Sequence, residues 1–308
     1  MRSLGRAAVL WLLCAAGLAQ QQPQNPPSFT DRPQFAANNP LVAEADKWYL
    51  RRQEGRAGIV ANAGAINQAI AGYDKATADP HFVEARWKLM RALYFKGAYT
   101  GLDEDSRKAV FEKARRVGDD AIAILGSSLE ERGIKGFIEF GPETLAKVFK
   151  DKTDANAAPT FYWAAACQGQ WALTVGKIEA ARKGAADKIR SFGLTVIGID
   201  PEFEEGGGYR IVGRLNDQAP WIPFITGWVS REDALKYLRL AVQVNGRNFA
   251  NRHFLAEALH RGDPKEQAEA LTLEEGIVAD APSPQRLVEE LTMQEMARAN
   301  LADWKKAS

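Results

Sequence analysis

The chain has 308 residues, 46% of them hydrophobic and 26% charged, with Lys+Arg 40 against Asp+Glu 39. This composition excludes a disordered chain and a bundle of membrane spans, and a net charge of +1 gives no electrostatic case for nucleic acid. Two cysteines exclude a disulfide-rich scaffold.

The N-terminus reads differently from the rest. Arg2 and Arg6 precede the apolar run "AAVLWLLCAAGLA" at 7–19, and Gly17 and Ala19 supply small residues at cleavage spacing. The pattern predicts a secretory signal peptide over 1–19, cut after Ala19, and therefore a periplasmic or secreted protein. A buried N-terminal helix is the alternative; the run is too short to span a bilayer. Leu13, directly before Cys14, spoils a lipid-attachment pattern, so no anchor is expected there. Removal of the signal leaves Cys167 without an intramolecular partner.

Residues 20–40, rich in Gln, Asn and Pro, predict a solvated linker. Residues 41–308 predict one α-helical domain, since apolar residues recur at three and four and no stretch alternates as a strand. "TVIGI" at 195–199 is the nearest to a strand, but it continues a periodic stretch and stops before Pro201, as a helix does. Breakers at Pro80, Pro142, Pro159, Pro201, Pro220, Pro264 and Pro282 divide the domain into roughly ten helices.

The series fits irregular tetratricopeptide-like hairpins stacked into a superhelix. First helices are expected at Trp87/Met90/Tyr94, Trp163/Ala166/Cys167, Tyr209/Val212/Gly213 and Leu255/Ala256/Leu259. Second helices are expected from Ala69/Tyr73/Ala76, Ala114/Gly118/Ala121 and Ala234/Leu238/Ala241, with a degraded copy from Ala268. Small residues at these positions let backbones approach while large ones fill the gap to the next hairpin. The spacing is uneven, so several hairpins carry extra residues.

The blocks "ADKWYLRR" (45–52), "AIAGYDKATADPHFVEARWKLMRALYFKG" (69–97), "FYWAAACQGQW" (161–171), "IDPEFEEGGGYRIVGRL" (199–215), "REDALKYLRLAVQV" (231–244) and "NRHFLAEAL" (251–259) occur in this order. Together they resemble the tetratricopeptide-like T-component (TatT) proteins associated with bacterial TRAP transporters. The resemblance implies a non-catalytic helical-repeat protein of the periplasm. It also implies cooperation with a solute-binding subunit that handles an apolar or organic-acid ligand, and assembly of some relatives into homo-oligomers. The chain departs from that pattern at Cys14, where the lipid attachment of many relatives is not matched.

"GGGYRIVG" at 206–213 is open to two readings. A phosphate loop needs a preceding strand and a Lys-Ser/Thr or a helix start, whereas these glycines follow a helix and end in "GRL". Gly206, Gly207 and Gly208 are expected to form a turn, and Gly213 to be the small residue of the next helix. His81, His253 and His260 are expected on a surface or rim, with no third ligand near the last two and no metal or cofactor implied. The acid pairs Glu204-Glu205, Asp119-Asp120 and Glu289-Glu290 read as solvated faces, and Cys167 as a packing residue.

The aromatics are the candidate binding set: Trp87, Trp163, Trp171, Tyr209, Trp221, Phe224 and Trp228. Hairpin core accounts for those on helices. The apolar insertion "APWIPFITGW" at 219–228 needs a groove, a ligand or a partner to cover it. The functional expectation is a scaffold that holds a partner protein or a small apolar ligand in its concave groove, with no catalytic residues. A helical enzyme and a purely structural envelope protein are the alternatives.

Overall fold

The computed structural model describes residues 39–151 and 154–307. The predicted signal peptide and most of the predicted linker lie outside the described residues. The linker's end needs correction: Asn39 accepts a hydrogen bond from the Leu41 N–H (2.9 Å) and Pro40 opens the first helix, because an Asn-Pro pair is a ready helix start.

The described residues form an all-α array of helical hairpins: α1 (Pro40–Leu50) with α2 (Ala63–Ala76), and α3 (Val83–Tyr99) with α4 (Glu104–Glu131). The middle of the array holds α5 (Pro142–Asp151), α6 (Ala157–Val175), the short α7 (Lys177–Arg182) and α8 (Ala185–Ile199). Then come α9 (Gly207–Gln218) with α10 (Arg231–Val244), α11 (Phe249–His260) with α12 (Pro264–Ala279), and α13 (Leu287–Ala307). Polar side chains start most hairpin helices. Asn62, Asp103, Ser230, Asn248 and Asp263 each accept a backbone N–H of the first turn, worth about 1 kcal/mol apiece. "TVIGI" is helical, at the end of α8.

The repeat register holds in α2, α4 and α10, where Ala69, Tyr73, Ala76, Ala114, Gly118, Ala121, Ala234, Leu238 and Ala241 are all buried. It fails in α12: Ala268 is exposed, and Ala270, Glu274 and Ile277 face inward instead. The shift of two positions follows from a buried polar contact, the Glu274 carboxylate lying 3.0 Å from His253 Nδ1 on α11. The extra residues of the hairpins take two forms. Between Met90 and Ala114 they lengthen α3 and α4 to 17 and 28 residues. Between Val212 and Ala234 they form the loop 219–230.

Helices α3, α6, α9, α11 and α13 each touch the next in that series, so they form the inner layer, while α2, α4, α8, α10 and α12 flank them. The superhelix closes on itself. Arg52, just past α1, donates to the Gln285 carbonyl (2.7 Å) and to Glu289 Oε1 on α13 (3.0 Å), and Gln53 exchanges hydrogen bonds with the Pro284 carbonyl and the Val288 N–H. The first hairpin and the last helix are thereby joined by polar contacts, and the inner layer surrounds a central space.

Candidate functional site

That central space is a cavity of about 190 Å³. Tyr49 and Arg52 border it at the end of α1, and α3 supplies Arg91, Tyr94, Phe95 and Tyr99. Helix α6 adds Tyr162 and Trp163, α9 adds Arg210, and α11 adds Phe249 and Phe254. Arg286, Glu289, Glu290 and Met293 complete the wall from α13 and the turn before it, and Glu204 reaches it from the turn before α9.

The turn that feeds α9 explains how the carboxylates arrive. Glu204 (φ 47°), Glu205 (φ 59°) and Gly206 (φ 82°) are all left-handed, a conformation that costs about 1 kcal/mol or more for each non-glycine residue. It turns both glutamates toward the centre. The predicted reversal over Gly206–Gly208 therefore needs correction: Gly207 and Gly208 already belong to α9, and the two glutamates carry most of the turn. Gly207 and Gly208 serve close approach, since a Cβ at either would fall 2.5 Å from Tyr162 Cε2 or 3.1 Å from the Gly193 carbonyl. Gly213 is the small residue expected, with the Leu238 backbone 2.9 Å from where its Cβ would be.

The acid pairs need the same correction. Glu204, Glu205, Glu289 and Glu290 are not a solvated face; they are half-buried or buried around the cavity and meet arginines. Glu289 pairs with Arg52, and Arg286 bridges Glu205 (2.7 Å) and Glu290 (3.2 Å). Burial pushes the carboxyls of Glu204 and Glu290 up from the ordinary range. Burial opposes the charge of Glu205 too, but Arg286 and the Asn248 amide outweigh it and hold that carboxyl down. Arg91 lies over the Tyr49 ring (3.8 Å) and Arg52 over the same ring (4.6 Å), so the ring faces carry cationic charge. Burial also pushes the Tyr94 hydroxyl up to about 12.

Of the seven predicted aromatics, only Trp163 lines this cavity, and its buried indole N–H has no hydrogen-bond partner among the described residues. Trp87 is fully buried core, donating to Asn156 Oδ1 (2.9 Å). Trp171 is buried beside Phe111 on the other side of the layer, beneath the Arg115 guanidinium. Tyr209 stacks on Tyr237 between α9 and α10. Trp228 rests half-buried under Arg190 and donates to Asp187 (2.8 Å).

The insertion fills no groove. Trp221 is 64% exposed and Phe224 fully exposed, at φ 61°. The loop is tied to itself instead: buried Thr226 accepts from the Ile222 N–H and donates to the Pro220 carbonyl, and Trp221 donates to the Gly227 carbonyl.

His253 departs from expectation, being fully buried against Glu274, whose other neighbour is the Asn300 amide. His260 stacks on Trp304 with ring centroids 3.9 Å apart. Cys167 is buried core beneath the Met90 carbonyl, and burial pushes its thiol up. No three His, Cys, Asp or Glu side chains converge as a metal site among the described residues.

The missed residues, chiefly Tyr49, Arg52, Arg91, Tyr94, Tyr162, Arg210 and Arg286, had one legible signal. Lys88 and Arg91 stand within the run Trp87–Leu93 of α3, whose other members are apolar, and Arg91 falls four residues after the buried Trp87, on the same face. No protein-family model matches this chain, and no curated protein matches it.

Proposed function

We propose that this chain is an exported, non-catalytic helical-repeat scaffold that holds a small ligand in its central cavity. The observation that carries the reading is the closure of the inner layer. Five inner helices and a ring-closing Arg52–Glu289 contact surround a space lined by aromatic rings and a few fixed charges, the usual make-up of a small-molecule site. The lining carboxylates Glu289 and Glu290 are each engaged by an arginine, an arrangement that favours a role in fixing the wall of a binding site. The resemblance of the 199–215 block to TRAP-transporter T-components favours a small apolar or organic-acid ligand delivered by, or passed to, a solute-binding subunit.

Native mass spectrometry of the mature protein purified from its own export compartment tests the reading. A co-purifying small molecule lost from a Trp163→Ala variant supports it. A clean apo protein whose tryptophan fluorescence ignores every apolar and acidic candidate overturns it.

A partner protein is favoured by a separate observation, the loop 219–230, which is hydrogen-bonded to itself. It presents Trp221 and Phe224 outward with a left-handed phenylalanine, and a strained, exposed aromatic is a feature that contact with another surface would reward. Cross-linking from residue 224 to a solute-binding protein, lost in Phe224→Ser, is the corresponding measurement.

A further inference from the structure

The arginines around the cavity are not equivalent. Arg52 is paired with Glu289, Arg286 with Glu205 and Glu290, and Arg91 lies on Tyr49 with Asp46 at 3.8 Å. Among the described residues, Arg210 has no carboxylate in hydrogen-bond contact. It donates to Asn251 Oδ1 (2.7 Å), Tyr162 Oη (2.9 Å) and the Glu204 carbonyl (3.3 Å), all neutral oxygens. Three of five donors are used, leaving Nε–H and one Nη1–H for another acceptor. A guanidinium does not shed its proton, so its charge persists in the cavity wall and is balanced only at a distance, by Glu204 and Glu205.

The arginine is also held in place from behind. Asn251 is fully buried, and its amide nitrogen donates to the carbonyls of Ala241 (2.9 Å), Glu205 (2.9 Å) and Asn245 (3.1 Å). Three carbonyls around the nitrogen settle which way the amide points, so Oδ1 must face Arg210. Such a fixed, neutral setting for a cation spends no carboxylate on it and preorganises the guanidinium to meet an incoming anion through a single charge-assisted hydrogen bond.

We infer that the cavity takes a small organic monoanion whose carboxylate sits on Arg210 and whose aromatic or branched aliphatic body lies against Trp163, Phe249, Phe254 and Met293. The volume of about 190 Å³ has room for a body of on the order of ten heavy atoms. Arg52 and Arg286 already meet Glu289, Glu205 and Glu290, so the open N–H groups of Arg210 serve one carboxylate, and a second negative charge on the ligand would meet glutamates instead of a cation. A cationic ligand is disfavoured because Arg52 and Arg91 already occupy the Tyr49 ring.

This inference rests on the reading of the cavity as a ligand site, and calorimetry on the mature wild-type protein separates the two. The probes are phenylacetate and 4-methylpentanoate, each compared with its primary amide and with the amine of equal length. The expected result is that each carboxylate binds about tenfold or more tightly than its amide, as a charged hydrogen-bond pair implies. Arg210→Gln then removes that preference while amide affinity stays, and Arg210→Lys restores part of it. Acid and amide binding equally, or the amine binding best, overturns the carboxylate assignment and leaves the cavity a ligand site. No binding by any of the compounds sinks both. The wild-type comparison needs no variant, so a misfolded Arg210→Gln does not blunt it.

Discussion

The cavity wall and the loop 219–230 are the two parts of this protein richest in exceptional residues, and they use them in opposite ways. Both contain aromatic side chains and non-glycine residues in left-handed conformations, Glu204 and Glu205 in one and Phe224 in the other. At the cavity the strained residues are locked by partners: Glu205 is held by Arg286 and Asn248, and the turn is clasped by Asn251 and Arg210. In the loop the strained residue is bonded to nothing through its side chain and points to solvent. Aromatic content alone therefore says little about where a ligand goes. What separates the two is whether neighbouring helices supply polar groups that fix the side chains in place.

The contrast is broken most severely at the core behind the cavity. Trp87→Ala empties a fully buried site and leaves the Asn156 side chain without its indole donor, for an expected loss of about 3–5 kcal/mol in denaturant unfolding. Trp221→Ala removes a side chain of the same kind from the loop and is expected to change stability by less than about 0.5 kcal/mol. Equal losses at the two positions would mean that the loop packs as tightly as the core.

Ring closure comes next in size. Arg52→Gln strands the Glu289 carboxylate, whose side chain is 21% exposed, so the cost falls below that of a fully buried pair, at about 1–3 kcal/mol. Hydrogen exchange should locate the effect. Amides of α13 are expected to exchange faster while those of α6 do not, and uniform acceleration would show that closure is not a local contact.

A third, smaller effect concerns the phenols of the cavity. The Tyr94 hydroxyl is pushed up to about 12 by burial, against about 10 for a solvated tyrosine. Its folded value is the higher one, so the folded protein keeps this proton after the unfolded chain has lost it. The contribution is complete below pH 10 and is lost as pH rises from 10 to 12, by on the order of 2 kcal/mol. Phenolate absorbance of the native protein at pH 11 is expected to fall short of the denatured signal, Tyr99 and Tyr162 being pushed up by burial as well. An equal signal in the two states would show that the cavity is open to water.

Much of the fold was legible before any coordinates. Prolines mark helix starts at Pro142 and Pro264, and the Ala/Gly/Trp register places α2, α3, α4, α6, α9 and α10. The cavity was not, for two physical reasons. It exists only because residues near 52 meet residues near 289, and local periodicity carries no record of a contact at that separation. Its charged members also obey the same sequence statistics as surface charge. Glu204-Glu205 and Glu289-Glu290 read as solvated until Arg286 and Arg52 are seen to arrive opposite them. Glu204 and Arg210 both lie inside the 199–215 block and both line the cavity, but the run of glycines between them is the louder local signal.

The smallest expected effect bears most directly on the loop. Phe224 adopts φ 61°, where a bulky side chain is strained and glycine is not, and its ring is fully exposed among the described residues. Phe224→Gly therefore relieves strain but gives the unfolded chain more freedom, and the two terms oppose each other. The strain term is about 1–2 kcal/mol and the entropy term about 0.5–1 kcal/mol, so a net gain of roughly 0.5 kcal/mol is expected. Thermal unfolding of the two proteins side by side checks the sign. A gain means that the native chain carries an uncompensated phenylalanine at its surface, which points to a contact outside the chain. A loss beyond about 1 kcal/mol would mean that the ring packs on its own protein in solution, and the partner reading of the loop would lose its support.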